Sequence, residues 1–334
     1  MKSEPSIPPG LLRPPAHQDF ASEALAMPAE VSPSVAVVRN TLAIMRLLRP
    51  RQWLKNVLLW VPAITSHQLL GEGVLSDLAW GMLAFCCIAS CVYVCNDLLD
   101  IEADRQHPVK RRRPLASGAV SIRTAWILAP LLLVAGFGVA TSRLPLHFTQ
   151  LLAVYFGISM VYSTWWKRLA MLDVVVLACL YTLRILAGGA ATGIVVSDWL
   201  MAFSVFLFSS LALAKRYVEM RRVRQQGERE APRRGYRADD LELLGTLGPT
   251  SGYLAVLILA LYVHSQEMRA LYASRWPLWL ICLVLMYWVG RLWLLARRGE
   301  LDDDPVVFAT TDRSSLMAGA IVAGLLLAAI WQVG

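Results

Sequence analysis

Nine apolar stretches divide this chain of 334 residues, at about 53–70, 76–98, 122–142, 147–166, 170–190, 198–220, 250–267, 276–296 and 315–333. Each comes close to the roughly 20 residues that an α-helix needs to cross the hydrocarbon of a bilayer. Inside lipid every backbone N–H and C=O must find a partner within its own segment or in a closed barrel, so runs of this length dictate helices. The expected fold is therefore all-α, a polytopic membrane helix bundle of about nine transmembrane helices. The first stretch is the least regular, because Pro62 interrupts it and His67 and Gln68 close it. With 57% hydrophobic and only 17% charged residues, the chain carries more apolar surface than a soluble core needs.

The polar gaps orient the bundle. One side collects Arg39 to Lys55, Arg105 to Arg113, Lys167 and Arg168, the run from Lys215 to Arg237, and Arg297, Arg298 and Arg313, whereas the other receives only Arg143, Arg269 and Arg275. By the positive-inside rule the rich side is cytoplasmic, giving a multi-pass protein of the inner (plasma) membrane with a cytoplasmic N-terminus. The net charge of +8 sits in these gaps, where it reads as topology signal and headgroup contact and not as a nucleic-acid surface. Residues 1–38 are rich in Pro, Ala, Ser and Glu, lack the apolar core of a signal peptide, and are expected to form a disordered cytoplasmic tail. All six cysteines lie inside apolar runs without the spacing of a zinc site or a disulfide framework, and read as packing residues.

Against this background Asn96-Asp97-Leu98-Leu99-Asp100-Ile101-Glu102-Ala103-Asp104-Arg105 stands out, since it closes the second apolar run and leads into Lys110-Arg111-Arg112-Arg113. On a helix Asn96, Asp100 and Asp104 share one face, with Asp97 a turn from Asp100 on the same side. Carboxylates this close repel unless a cation sits among them. Hard oxygen ligands in this number suit Mg²⁺ shared with a phosphate, which makes Asp97, Asp100 and Asp104 the candidate metal ligands. The alternative is an interfacial cluster neutralised by the neighbouring basic residues Lys110 to Arg113.

The pattern Asn-Asp-x-x-Asp-x-x-x-Asp followed by Arg112-Arg113-Pro114-Leu115-Ala116-Ser117-Gly118 resembles the first signature of the UbiA superfamily of intramembrane prenyltransferases, in which it binds Mg²⁺ and diphosphate. The resemblance runs from about residue 45 onward, and implies one UbiA-like transmembrane domain over 39–334. Ordinary members carry a second Asp-rich motif after helix 6. Here Ala214-Lys215-Arg216-Tyr217-Val218-Glu219-Met220-Arg221-Arg222 stands in its place, with cations that bind phosphate directly. Together with Arg49-Pro50-Arg51-Gln52-Trp53-Leu54-Lys55-Asn56, His107-Pro108 and Leu183-Arg184-Ile185-Leu186-Ala187-Gly188-Gly189, this looks like the decaprenyl-phosphate phosphoribosyltransferase branch.

That resemblance implies transfer of 5-phosphoribose from phosphoribosyl pyrophosphate to a polyprenyl phosphate lipid at the membrane, with release of pyrophosphate, feeding a cell-wall arabinan precursor. Asp97, Asp100, Asp104 and Lys215 are the expected catalytic group. Asn96, Arg105, Lys110, Arg113, Arg216, Tyr217 and Glu219 are expected to bind substrate. Gln52, Lys55 and Asn56, spaced as one polar helix face, close the same cavity. Asp173 and Arg184 lie three turns apart in the fifth run, too far for a direct pair, and face the bundle interior as intramembrane charges do. For Asp173 a helix-terminal dipole partner is the alternative. Tyr155, Tyr162 and Tyr181 are candidate ribose contacts or packing residues. Asp302-Asp303-Asp304 reads as a solvated loop, with a cover over the site as the alternative, and Trp165 and Trp166 as an interfacial belt. A prenyltransferase joining a prenyl diphosphate to an aromatic acceptor, or a lipid-binding transporter or scaffold, would share parts of this pattern. An oligomer is compatible with it.

Overall fold

The computed structural model describes residues 33–227, 235–301 and 304–331, and every regular element among them is a helix. In chain order these are α1 (Pro33–Leu48), a 3₁₀-helix (Pro50–Trp60) running into α2 (Val61–Thr65), α3 (Val74–Leu99), α4 (Ile101–Gln106), α5 (Ile122–Arg143), α6 (Leu146–Thr164), α7 (Leu172–Thr192), α8 (Asp198–Gln225), α9 (Leu241–Tyr262), α10 (Gln266–Leu271), α11 (Trp276–Arg298), α12 (Pro305–Thr311) and α13 (Arg313–Trp331). Of the segment expected to be a tail, 1–32 lies outside the described residues, and α1 already begins at Pro33.

Among the described residues seven helices are long and apolar enough to cross a bilayer, and α12 with α13 makes an eighth as a pair bent by 76°. The bend falls at Asp312, whose carboxylate accepts both guanidinium nitrogens of Arg291 (2.7 and 3.1 Å) and the backbone N–H of Ser315 (2.8 Å). The ninth expected stretch is the irregular one. Its 16 residues fall short of a span by α-helical rise, yet eleven of them are 3₁₀. At about 2.0 Å per 3₁₀ residue and 1.5 Å per α residue they extend about 30 Å, the thickness of the hydrocarbon.

Helices α3 and α7 form the centre. Both are apolar around their whole circumference and are the most buried of the spans, whereas α5 lies at the periphery. On one side of α7, Phe208, Tyr217, Leu244, Val289 and Trp293 pack between α8, α9 and α11; on the other, Leu59, Phe85, Ile88, Phe148 and Leu152 join the 3₁₀-helix, α3 and α6. Small residues permit this closeness, as expected where no hydrophobic gradient drives helices together in lipid. A Cβ on Gly188 would stand 2.0 Å from the carbonyl oxygen of Leu59, a backbone atom that cannot yield. Gly188→Ala is therefore expected to prise the 3₁₀-helix from α7 at a cost of roughly 3 kcal/mol, read as a lower melting midpoint in detergent.

Candidate active site

The polar residues of the bundle gather at one end. The C-terminal turns of α3 and α6, the middle of α8, the N-terminal half of α7, the first turns of the 3₁₀-helix and the start of α12 enclose a cavity of about 290 Å³, on the side of the Arg- and Lys-rich loops. Six cations (Arg49, Lys55, Lys110, Arg113, Lys167, Lys215) and three carboxylates (Asp97, Asp100, Asp304) line it, a surplus of three positive charges. A deeper chamber of about 110 Å³ continues from it past Lys55, Tyr93, Tyr162 and Tyr181 to Tyr155, Ser159 and Arg184.

One pole is built on Asp97, which is 2% exposed. Its Oδ1 accepts Arg49 Nη2 at 2.5 Å and Arg113 Nη1 at 3.2 Å, while Arg113 also reaches Asp104 at 2.6 Å. Arg113 thus bridges two carboxylates that would otherwise repel. Arg49 approaches from a left-handed backbone conformation (φ +54°) unusual for a residue with a side chain, and its guanidinium lies 5.0 Å from the centre of the Tyr93 ring. Asp100 pairs with Lys167 at 3.2 Å. Two acceptors remain buried without a hydrogen-bond partner, Asp97 Oδ2 and Asn96 Oδ1. Orphaned oxygens of this kind are costly and call for a ligand. With Asp100 beside them they fit Mg²⁺, which takes one or two carboxylates and completes its shell from substrate oxygens and water. The described residues form no cluster of three acidic, His or Cys side chains at metal-binding distance, and Asp104 does not line the cavity. The set the geometry favours is Asn96, Asp97 and Asp100, with Asp104 holding Arg113.

The opposite pole is Lys55, whose Nζ lies 2.5 Å from Asp304 Oδ2 and 5.7 Å from the centre of the Tyr181 ring. The other oxygen, Asp304 Oδ1, caps α12 by accepting the N–H groups of Val306 (3.1 Å) and Val307 (3.4 Å). Burial pushes the Asp304 carboxyl up, but Lys55 and Lys215 outweigh it and hold the group below the usual carboxylate range. Asp304 is thus part of the cavity wall, against the expectation of a solvated loop; Asp302 and Asp303 lie outside the described residues.

Arg184 floors the inner chamber. It donates to Asn56 Oδ1 (3.1 Å), Tyr155 OH (2.8 Å) and the carbonyl of Leu180 (2.7 Å), and its guanidinium carbon lies 4.7 Å and 5.5 Å from the centres of the Tyr155 and Tyr181 rings. All these partners are neutral, and among the described residues no carboxylate pairs with it.

Other expected contacts lie behind the wall. Arg216, 1% exposed, is bound to Asp173 (2.5 Å) and to Glu219, and donates to Tyr162 OH at 3.1 Å. It reaches the cavity only through Tyr162, with its charge already balanced. Asp173 sits in the first turn of α7, where the helix dipole favours a carboxylate, and does not line the cavity; it also accepts Tyr236 OH at 2.6 Å, and Tyr236 in turn accepts the N–H of Met171 at 2.8 Å. Burial and the hydrogen bond to Asp173 push the Tyr236 phenol well above its ordinary value. Tyr236→Phe is expected to lower stability by about 1–2 kcal/mol through the two lost hydrogen bonds, seen as a melting shift with turnover changed less than threefold.

Tyr217 packs edge-on to Trp293 in the core, and Arg105 is exposed outside the cavity. Gln52 touches the site through Tyr93 OH, 3.4 Å away. Arg49, Tyr93, Lys167 and Asp304 are the charged and aromatic lining residues that sequence reasoning did not assign to the site. Of these, Arg49 has a signal in its place directly before Pro50, and Lys167 in its place among the basic gaps.

A bundle of membrane-crossing helices with a cation-rich chamber at one end is built to handle anionic groups next to lipid, the setting of an intramembrane transferase. The UbiA prenyltransferase family matches residues 59–316, and the chain belongs to that family. It is 38% identical to the uncharacterized protein y4nM of Sinorhizobium fredii, over 85% of this chain and 55% of that one, so it spans only about half of that relative. It is 36% identical to the nodulation protein NoeC of Azorhizobium caulinodans (80% of this chain, 87% of that one). It is 32% identical to the decaprenyl-phosphate phosphoribosyltransferase of Mycolicibacterium smegmatis (73% and 78%). A solved structure of a UbiA homologue from Archaeoglobus fulgidus, bound to GPP and Mg²⁺, superposes with a TM-score of 0.63 at 18% identity over 86% of this chain and 99% of that one, which establishes the shared fold.

Proposed function

We propose that the protein transfers 5-phosphoribose from phosphoribosyl pyrophosphate to a polyprenyl phosphate at the cytoplasmic face of the inner membrane, releasing pyrophosphate. The observation that carries this reading is the set of hydrogen-bonding and cationic groups placed in the chamber beside the Asp97 pole. A prenyl diphosphate donor sets a hydrocarbon chain next to its diphosphate and wants apolar walls there. Here the adjoining chamber has Ala89, Val92, Leu177 and Leu180 in its wall, but it also presents Tyr93, Tyr155, Tyr162, Tyr181, Lys55 and Arg184, groups suited to a hydroxylated, phosphorylated sugar. A donor with a diphosphate at one end and a 5-phosphate at the other also matches a cavity with two cationic poles. The likeness to decaprenyl-phosphate phosphoribosyltransferases points the same way.

In this mechanism Asn96, Asp97 and Asp100 would hold Mg²⁺, which would supply neutralisation of the diphosphate charge. Arg49, Arg113 and Lys167 steady those carboxylates and face the same oxygens. Lys55, Lys215 and Arg184 orient the sugar phosphate. The lipid phosphate is anionic at neutral pH and attacks the anomeric carbon without a strong general base, so that the residues contribute positioning and charge stabilisation. Direct displacement inverts that carbon.

The test is incubation of purified protein with Mg²⁺, polyprenyl phosphate and radiolabelled phosphoribosyl pyrophosphate, followed by extraction. Label in the organic phase is expected. Its absence under conditions where a prenyl diphosphate is consumed would overturn the reading in favour of prenyl transfer.

A further inference from the structure

A carboxylate in a cavity built for anions works against that purpose, and Asp304 is one. It is fixed there by two independent contacts. Oδ1 is committed to the N–H groups of Val306 and Val307 at the start of α12, which leaves Oδ2 aimed at Lys55. The pair bridges 249 positions of sequence, from the 3₁₀-helix to the C-terminal segment, and Tyr181 and Lys215 complete the corner. Lys55 is 7% exposed, so it cannot hold this carboxylate and a substrate anion side by side without burying two negative charges together.

From this juxtaposition we propose that Asp304 occupies, in the substrate-free protein, the subsite for a phosphate monoester, and that the incoming phosphate displaces it from Lys55. This rests on the proposed role of Lys55 and Lys215 in phosphate binding. The geometry supports a placeholder over a permanent wall in two ways. The oxygen that touches Lys55 has the shape and charge of one phosphate oxygen. Its loss leaves the helix cap intact, since the cap uses the other oxygen. The carboxylate keeps the buried Lys55 ammonium paired until a substrate phosphate replaces it. Two phosphate monoesters are present in the reaction, one on the sugar donor and one on the lipid acceptor, and the same subsite chemistry suits either.

Asp304→Asn separates the roles cleanly. Asparagine is as good a helix cap as aspartate, so α12 keeps its start and only the charge is lost. Ribose 5-phosphate and farnesyl phosphate serve as probes, each titrated calorimetrically into purified protein without Mg²⁺. Pyrophosphate with Mg²⁺, which engages the Asp97 pole, is the control for folding and should change less than twofold. A charge-assisted contact released from competition is expected to tighten one probe about tenfold. Tightening of ribose 5-phosphate assigns the subsite to the donor. Tightening of farnesyl phosphate alone supports the placeholder and assigns it to the lipid. Both probes unchanged, or both weakened, with the control intact, would overturn the proposal and make Asp304 a fixed support for Lys55. Because binding and not turnover is read, failure here is distinct from failure of the phosphoribosyl assay.

Discussion

Asp97→Asn is expected to lower turnover about a thousandfold while the protein stays folded. Asp97 is where the cavity's opposing demands meet: one oxygen is shared by Arg49 and Arg113, and the other faces the cavity without a partner. Asparagine preserves the shape and leaves an acceptor for the arginines. It removes the charge that balances them and one of the two carboxylates proposed to hold Mg²⁺. The two guanidinium groups are 26% and 30% exposed, so water can hydrate them once the carboxylate is gone, and the fold survives. The measurements are the initial rate of label transfer to lipid and the melting midpoint in detergent. A variant within tenfold of wild type would remove Asp97 from the catalytic group.

Arg184→Met should lower kcat/KM for the sugar donor about a hundredfold, chiefly through KM. A buried guanidinium with only neutral partners is held at a cost of desolvation that no carboxylate in the described residues offsets. Such a charge is economical only when an anion arrives. Its fork geometry, with Nε on Asn56 and Nη2 on Tyr155, fixes the plane that a phosphate would meet. Methionine keeps the length and apolar body while deleting the charge. Competition by ribose 5-phosphate should weaken in parallel, and if kcat falls with KM unchanged Arg184 supports the chamber's shape and not the donor.

Much of the architecture was legible because apolar length is a direct physical requirement of the bilayer. Each expected stretch corresponds to a helical segment, and the basic gaps lie at the cavity end. The Asp97 motif was legible because carboxylates at an apolar helix end need an explanation. What sequence could not supply was the winding of the first segment. Read as α-helix, Gln52, Lys55 and Asn56 share one face. In a 3₁₀-helix i and i+3 eclipse while i+4 turns about 120° away, so Lys55 enters the cavity and Asn56 reaches Arg184 and Cys86 instead. Arg216 and Glu219 also read as cavity residues, because Asp173, the buried partner of Arg216, and Tyr236, which binds Asp173 in turn, lie 43 and 20 positions from Arg216. The partner of Asp304 was hidden for the same reason: a 249-residue separation leaves no local trace of its contact with Lys55.

The 3₁₀ segment also limits how this protein can change over generations. In an ordinary span a single-residue insertion rotates the remainder of the helix by 100° and lengthens it by 1.5 Å. In Pro50–Trp60 the same event turns the downstream side chains through about 120° and shifts them by about 2 Å. An insertion ahead of Lys55 would carry its ammonium out of the cavity, and only a three-residue change would restore its direction, now displaced by about 6 Å. Substitutions can accumulate there, but length cannot drift: the eleven residues act as a ruler whose graduation is one amino acid.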